Sequence, residues 1–170
     1  MTEQQLINLY LGGQSSAFDT LYKRHKDNLY RFILGMIVNQ HCAEDVAAQV
    51  WCKFLDKCDV IESNPVAYLY AIARNQVAEY FRSHKVPVVF KDYKDDYSVL
   101  LDTHVETQEV LKKLNELPFV QRESLLLKHL AGYTLEEIAH FQNINRESAK
   151  TRLRYAMSKI RHLLSPVGSL

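Results

Sequence analysis

The 170-residue chain predicts an all-α protein of two small helical domains joined by a linker. Three observations lead there. Apolar residues make up 47% of the sequence, while only five Gly and four Pro interrupt it. Through most of the chain, apolar positions recur at steps of three and four, the spacing of one buried helical face. That periodicity fails between Val86 and Glu106, where a mixed, acidic stretch opens with a proline and reads as an extended linker.

The amino-terminal unit, residues 1–85, reads as four helices. Residues 2–11 form a short amphipathic helix with Leu6, Ile7, Leu9 and Tyr10 as its apolar members, and Gly12-Gly13 breaks it. Ser15 or Ser16 can cap the second helix, which runs to about Val38. There Phe18, Leu21, Tyr22, Leu29, Phe32, Ile33, Met36 and Ile37 form a wide core face. Asn39-Gln40-His41 makes a turn into a third helix, about 42–57, with Val46, Val50, Phe54 and Leu55 inward. Residues 58–63 are a loop. Asn64-Pro65 starts the fourth helix, a cap followed by proline at the first helical position. Leu69, Ile72, Ala73, Val77 and Tyr80 supply its core side. Tyr68, Tyr70, Arg74, Asn75, Phe81, Arg82 and Lys85 crowd the remainder. Aromatics interleaved with Arg and Asn can stack on and hydrogen-bond single-stranded bases, although a solvated basic side is the commoner fate of such residues.

The carboxy-terminal unit, residues 107–170, also reads as four helices. The first ends at Leu117-Pro118, and the second spans about 120–130 before Ala131-Gly132 stops it. Thr134 with Glu137 is a capping box for the third. Asn145 caps the last helix, whose apolar residues Ala149, Leu153, Ala156, Ile160 and Leu163 share one face. Arg146, Lys150 and Arg154 lie four apart on another, with Glu147 and Thr151 beside them. The intervening turn holds Asn143-Ile144-Asn145, and Asn tolerates the left-handed backbone such turns need. Two helices joined in this way form a helix-turn-helix, whose second helix enters the DNA major groove.

The charge distribution agrees. The net charge is only +1, but residues 145–162 hold six basic residues and one acidic. Residues 86–106 hold two basic and five acidic, and residues 1–85 nine of each. Basic charge is concentrated on the helix that the turn pattern assigns to DNA.

Other classes fit less well. Seven His and twenty acids lie without a nucleophile–base pairing, a Gly-rich phosphate loop or metal-ligand spacing, so neither catalysis nor a cofactor is expected. Cys42, Cys52 and Cys58 are odd in number and unequally spaced, which favours structural thiols over a disulfide framework or zinc. No run of about 18 apolar residues could span a membrane. The opening MTEQQLINLY lacks a signal peptide's basic start and apolar run, so a cytoplasmic protein is expected. An ordinary regulator whose first domain senses a ligand or dimerises would not require the aromatic-basic fourth helix.

Three stretches together carry a family resemblance: AEDVAAQVWCKFL at 43–55, PVAYLYAIARNQVAEYFRS at 65–83 and LPFVQRESLLLKHLAGYTLEEIAHFQNINRESAKTRLRYAMSKIRHLL at 117–164. In this order the chain resembles a bacterial sigma factor of the extracytoplasmic-function group, built from a sigma-two and a sigma-four domain. The resemblance implies that the first stretch docks on core RNA polymerase, with Asp45, Gln49 and Trp51 as contacts. Ala48 and Gln49 stand where the family usually has Gln and Glu. It implies that the second stretch recognises and opens the minus-ten promoter element through Tyr68, Arg74, Asn75 and Arg82. Asn75 would bond a base flipped from the non-template strand, and Tyr68 would replace the family's usual Trp as a stacking face. It implies that Arg146, Glu147, Lys150, Thr151 and Arg154 read the minus-thirty-five element as duplex. The linker, with Asp92, Asp95 and Asp96, resembles the segment threaded through polymerase. Core polymerase, promoter DNA and an anti-sigma factor are the implied partners.

Overall fold

A computed structural model describes residues 1–84 and 105–164; the expectations for the linker aspartates and for Lys85 fall outside them. Among the described residues every regular element is helical. In chain order they are α1 (Glu3–Leu11), α2 (Ser15–Ile37), α3 (Gln40–Lys57), a 3-10 turn (Cys58–Val60), α4 (Pro65–Ser83), α5 (Val105–Leu114), α6 (Phe119–His129), α7 (Leu135–Gln142) and α8 (Arg146–Leu164).

Local chemistry sets most of the boundaries. Thr2 and Gln5 form a capping box that starts α1, and Thr134 with Glu137 forms the one expected for α7. Asn39 caps α3 by accepting from Cys42 N at 2.9 Å, so Gln40 and His41 are already helical rather than part of a turn. Asn64 takes a left-handed φ of 47° and accepts from Ala67 N, with Pro65 opening α4. The expected serine cap of α2 is absent. Ser15 lies inside the helix, and Gln14 precedes it without a side-chain cap.

α2 ends on Val38, at φ 59°, a conformation that costs a β-branched residue strain. Val38 is fully buried, and its N–H bonds to Leu34 O.

Helices α1, α3 and α4 pack around α2 to make the first unit. Leu29, Phe32, Ile33, Met36 and Ile37 of α2 are fully buried, with Val50 and Phe54 of α3 and Leu69, Tyr70, Ala73 and Val77 of α4 around them. In the second unit Leu111, Leu114, Leu117, Leu127, Ile138, Ala149, Ala156 and Ile160 close the core. The expected face of α8 is confirmed at Ala149, Ala156 and Ile160, whereas Leu153 and Leu163 are half-buried.

The two units pack on each other. The C-terminal half of α2 meets α5 and α6, and α4 lies against α6 and α7. The buried side chains form one continuous apolar cluster across both units. Aromatic rings bridge the join. Tyr70 stands edge-on to Phe32 at 5.3 Å and to Tyr133 at 6.0 Å, and Phe81 meets Phe119 at 5.9 Å. Tyr70 and Phe81, which the sequence places on the open side of α4, are 1% and 5% exposed because the second unit covers them.

Candidate nucleic-acid interface

Helix α8 presents the upstream set. Asn143 adopts the left-handed conformation, φ 55°, that lets α7 end and the chain turn toward α8. Asn145 accepts from Ser148 N at 2.8 Å and starts the helix. Arg146, Glu147, Lys150 and Arg154 are exposed, and Thr151 is half-buried between them. Arg146 is not loose: its Nε lies 2.6 Å from Glu136 Oε1 on α7, and Nη1 is 3.6 Å from Glu147. That hydrogen bond holds the Glu136 carboxyl below its ordinary range and raises Arg146. Tyr155, 57% exposed beside Arg154, was not singled out from the sequence; the Arg154 guanidinium carbon lies 5.9 Å from its ring centroid. An aromatic next to a basic row on a helix of DNA-reading pattern was the available signal.

Helix α4 presents the downstream set, but toward the other unit. Tyr68, Arg74 and Asn75 line a cleft of about 630 Å³ whose far wall is Tyr133, Glu136 and His140. Arg82 is not among the residues lining the cleft. It is exposed and pairs with Glu79 at 2.8 Å. Arg74 is engaged three ways. Its Nε is 2.9 Å from Glu123 Oε2, its Nη1 donates to Phe141 O at 3.1 Å, and its guanidinium carbon sits 5.2 Å from the Phe141 ring centroid. Glu123 is wholly buried. Burial pushes its carboxyl above the ordinary range, against the opposing pull of Arg74, Gln142 and Arg152.

Glu123 belongs to a polar network reaching α8. Gln142 Nε2 donates to Glu123 Oε1 at 3.0 Å, while Gln142 Oε1 accepts from Ser124 Oγ and from Arg152 Nη1. The helix expected to hold the minus-ten element is thus linked through buried groups to the one expected to hold the minus-thirty-five element. Burial pushes Tyr70, at the same join, up to about 12.

Helix α3 divides its three expected polymerase contacts between two sides. Asp45 and Gln49 are exposed and border a groove against α4 near Gln76 and His84. Trp51 is only 8% exposed and packs edge-on against Phe18, Tyr22 and Phe54 at 5.0–5.9 Å. Ala48, not Trp51, is the open position on that side. Of the three cysteines, Cys58 is buried, Cys42 half-buried and Cys52 exposed. Among the described residues no cluster of three His, Cys, Asp or Glu could hold a metal, and no helix is long and apolar enough to cross a membrane.

Comparison with known proteins agrees with this architecture. Residues 21–86 match the family described as Sigma-70 region 2, and residues 113–162 match Sigma-70, region 4. The chain is 30% identical over 154 residues to the ECF RNA polymerase sigma factor SigM of Bacillus subtilis (strain 168), covering 86% of this chain and 94% of that protein. It is 26% identical over 171 residues to the ECF RNA polymerase sigma factor BldN of Streptomyces coelicolor, covering 94% of this chain and 65% of that one. Among solved structures, the sigma factor RpoE of Bartonella quintana, in complex with the anti-sigma factor NepR, superposes with a TM-score of 0.71 at 24% identity, covering 86% of this chain and 96% of that one. CnrH, in complex with the cytosolic domain of CnrY, superposes at 0.72 and 20% identity, covering 95% and 96%. These two likenesses concern the fold.

A region-2 unit followed by a region-4 helix-turn-helix defines the sigma-70 class of transcription initiation proteins. Within that class the chain belongs to the extracytoplasmic-function RNA polymerase sigma factors. It binds core RNA polymerase and directs initiation at particular promoters, and sigma factors are in general regulators rather than enzymes.

Proposed function

We propose that the chain grips a promoter at two points, with α8 as the upstream anchor and α4 as the opening element. Arg146, Glu147, Lys150, Thr151 and Arg154 face the minus-thirty-five duplex. Tyr68, Arg74 and Asn75 take the minus-ten strand, with Arg82 on its backbone. The exposed Asp45 and Gln49 meet polymerase directly, whereas Trp51 supports that surface from beneath. Residues 1–85 and 107–170 act as the two domains, with 86–106 passing between them through polymerase. The chain works in the cytoplasm, without catalysis of its own, and an anti-sigma partner restrains it.

The observation that carries this reading is the composition of the α4 face. Tyr68 supplies a ring for stacking, Asn75 an exposed amide and Arg74 a guanidinium, all around one cleft. Taking a base from a duplex costs a few kcal/mol, about what one stacked and hydrogen-bonded base returns. A helix-turn-helix regulator acting without polymerase has no use for such a face. Asn75→Ala should therefore reduce permanganate reactivity of the melted region while sparing closed-complex footprints. Equal loss of both would remove Asn75 from the opening step.

A further inference from the structure

Five of the six basic residues on α8 are exposed, and Arg152 is the exception. It is half-buried and donates from Nη1 to Gln142 Oε1 at 3.2 Å. At 3.6 residues per turn, Arg152 stands about 200° around the helix from Lys150. Ala149 and Ala156, about one turn to either side of it, are fully buried. Lys150 and Arg152 therefore point to opposite sides of α8, so one rotation of the helix moves both.

Gln142, the last residue of α7, is 8% exposed, and both ends of its amide are engaged. Nε2 donates to Val120 O at 3.1 Å and to Glu123 Oε1 at 3.0 Å. Oε1 accepts from Arg152 and lies 3.1 Å from Ser124 Oγ. Ser124 Oγ is also 2.8 Å from Val120 O, and a hydroxyl carries one hydrogen, so Arg152 is the steadier donor to Oε1. A carbonyl and a carboxylate call for the donor end of the amide, and a guanidinium calls for its acceptor end. Helix α6 thus holds one end of the Gln142 amide and α8 the other. Glu123 and Ser124, the α6 side of this arrangement, are wholly buried.

We infer that Gln142 and Arg152 are positioning residues, which fix the rotation of α8 about its own axis and so aim Arg146, Glu147 and Lys150 at the bases of the minus-thirty-five duplex. The inference rests on the reading of α8 as the minus-thirty-five helix. Side-chain tips lie about 5–6 Å from a helix axis, so a rotation of about 20° moves them by about 2 Å. Hydrogen-bond lengths vary over only about 0.5 Å, so a slip of that size breaks contacts to base edges. Arg152 carries a charge that looks made for DNA, yet it contributes aim and not a phosphate contact.

The test uses holoenzyme and a labelled duplex spanning the upstream element of a mapped start, with further duplexes carrying each single base-pair change. Wild type is compared with Arg152→Met, Gln142→Leu, the double variant and Lys150→Ala. Arg152→Met and Gln142→Leu remove the polar contact and keep most of the side-chain volume. Each should lower discrimination about fivefold or more at the base pair that Lys150→Ala relaxes and at its neighbours. The slope of log affinity against log salt should keep its wild-type value, because no phosphate contact is lost. The double variant should lose no more than the more affected single variant, since both break the same bond. Circular dichroism checks folding, and Arg152→Met decides if Gln142→Leu loses helix. A slope lowered by about 0.9 in Arg152→Met would make Arg152 a phosphate contact and overturn the inference. So would an equal loss on every duplex, which marks damage to the fold alone, or additive losses in the double variant. If Lys150→Ala leaves every base preference unchanged, the reading of α8 falls and the inference with it. If Lys150→Ala relaxes preference and the other variants do not, that reading stands and the positioning role fails.

Discussion

Replacing Arg154 by alanine should weaken upstream DNA binding without changing which sequence is preferred. The reason is distance along α8. Arg146, Lys150 and Arg154 are four residues apart, about 6 Å per step at 1.5 Å per residue, so Arg154 lies about 12 Å from the helix start. The major groove is about 12 Å wide, and a recognition helix reads base edges with its N-terminal residues. Lys150 and its neighbours Arg146 and Glu147 then face bases, whereas Arg154 falls on the phosphate rim with Tyr155 beside it. Loss of one phosphate contact lowers the slope of log affinity against log salt by about 0.9. Between 50 and 200 mM salt the wild type should therefore lose about 3.5-fold more affinity than Arg154→Ala. Lys150→Ala should instead relax discrimination at one base pair by about 5- to 150-fold, the equivalent of 1–3 kcal/mol. The assay is a salt titration of holoenzyme on upstream duplexes carrying single base changes. A changed base preference with an unchanged slope in Arg154→Ala would refute this placement.

Two further outcomes follow from the first unit. Trp51→Phe should keep core polymerase affinity, while Trp51→Ala should cost about 3–5 kcal/mol in denaturant unfolding, because the ring fills a packed aromatic cluster. Normal stability with lost polymerase binding would instead make Trp51 a direct contact. Burial raises the Glu3 carboxyl, but bonds from Arg24, its own backbone and His25 outweigh that and hold it below its ordinary value of 4.5. A depressed carboxyl stabilises the fold above its unfolded value, and that contribution disappears as pH falls through the lower folded one. Proteolysis of α1 should rise over that acid window in the wild type and be insensitive to it in Glu3→Gln.

How far the fold could be read from the sequence depends on how local each cause is. The Thr134–Glu137 box, the Asn64-Pro65 start and the left-handed Asn143 are set within a few residues, and all are present. The missing serine cap on α2 is also a local matter: Ser15 and Ser16 have helical positions available, and the chain enters from Gln14 instead. Periodicity located the buried faces of α2 and α8 but could not say which partner covers a second apolar side. Tyr70 and Phe81 therefore read as open aromatics, although Tyr133 and Phe119 of the other unit cover them. Trp51 misled for the same reason, since a ring beside exposed Ala48 turns inward toward Phe18 and Tyr22.

The charged pair on α6 is the strongest case. Arg122 and Glu123 sit before a Ser-Leu-Leu-Leu run and look like a solvated edge. Their partners, Met36 and Arg74, are supplied by distant parts of the chain, so no window of sequence contains both sides of either contact. The site itself divides along the same line. The recognition row on α8 lies on one helix and was visible, whereas the cleft that Tyr68, Arg74 and Asn75 share with Tyr133, Glu136 and His140 depends on how two units meet.

The most direct measurement is transcription by core polymerase supplied with this protein and genomic DNA from its own source, with start sites mapped by sequencing. The two-point grip predicts a small set of starts sharing one upstream duplex element and one melted downstream element at fixed spacing. It also predicts that Asn75→Ala abolishes starts while upstream footprints persist. Starts that share only one element, or the absence of any start together with no association between protein and polymerase, would contradict it.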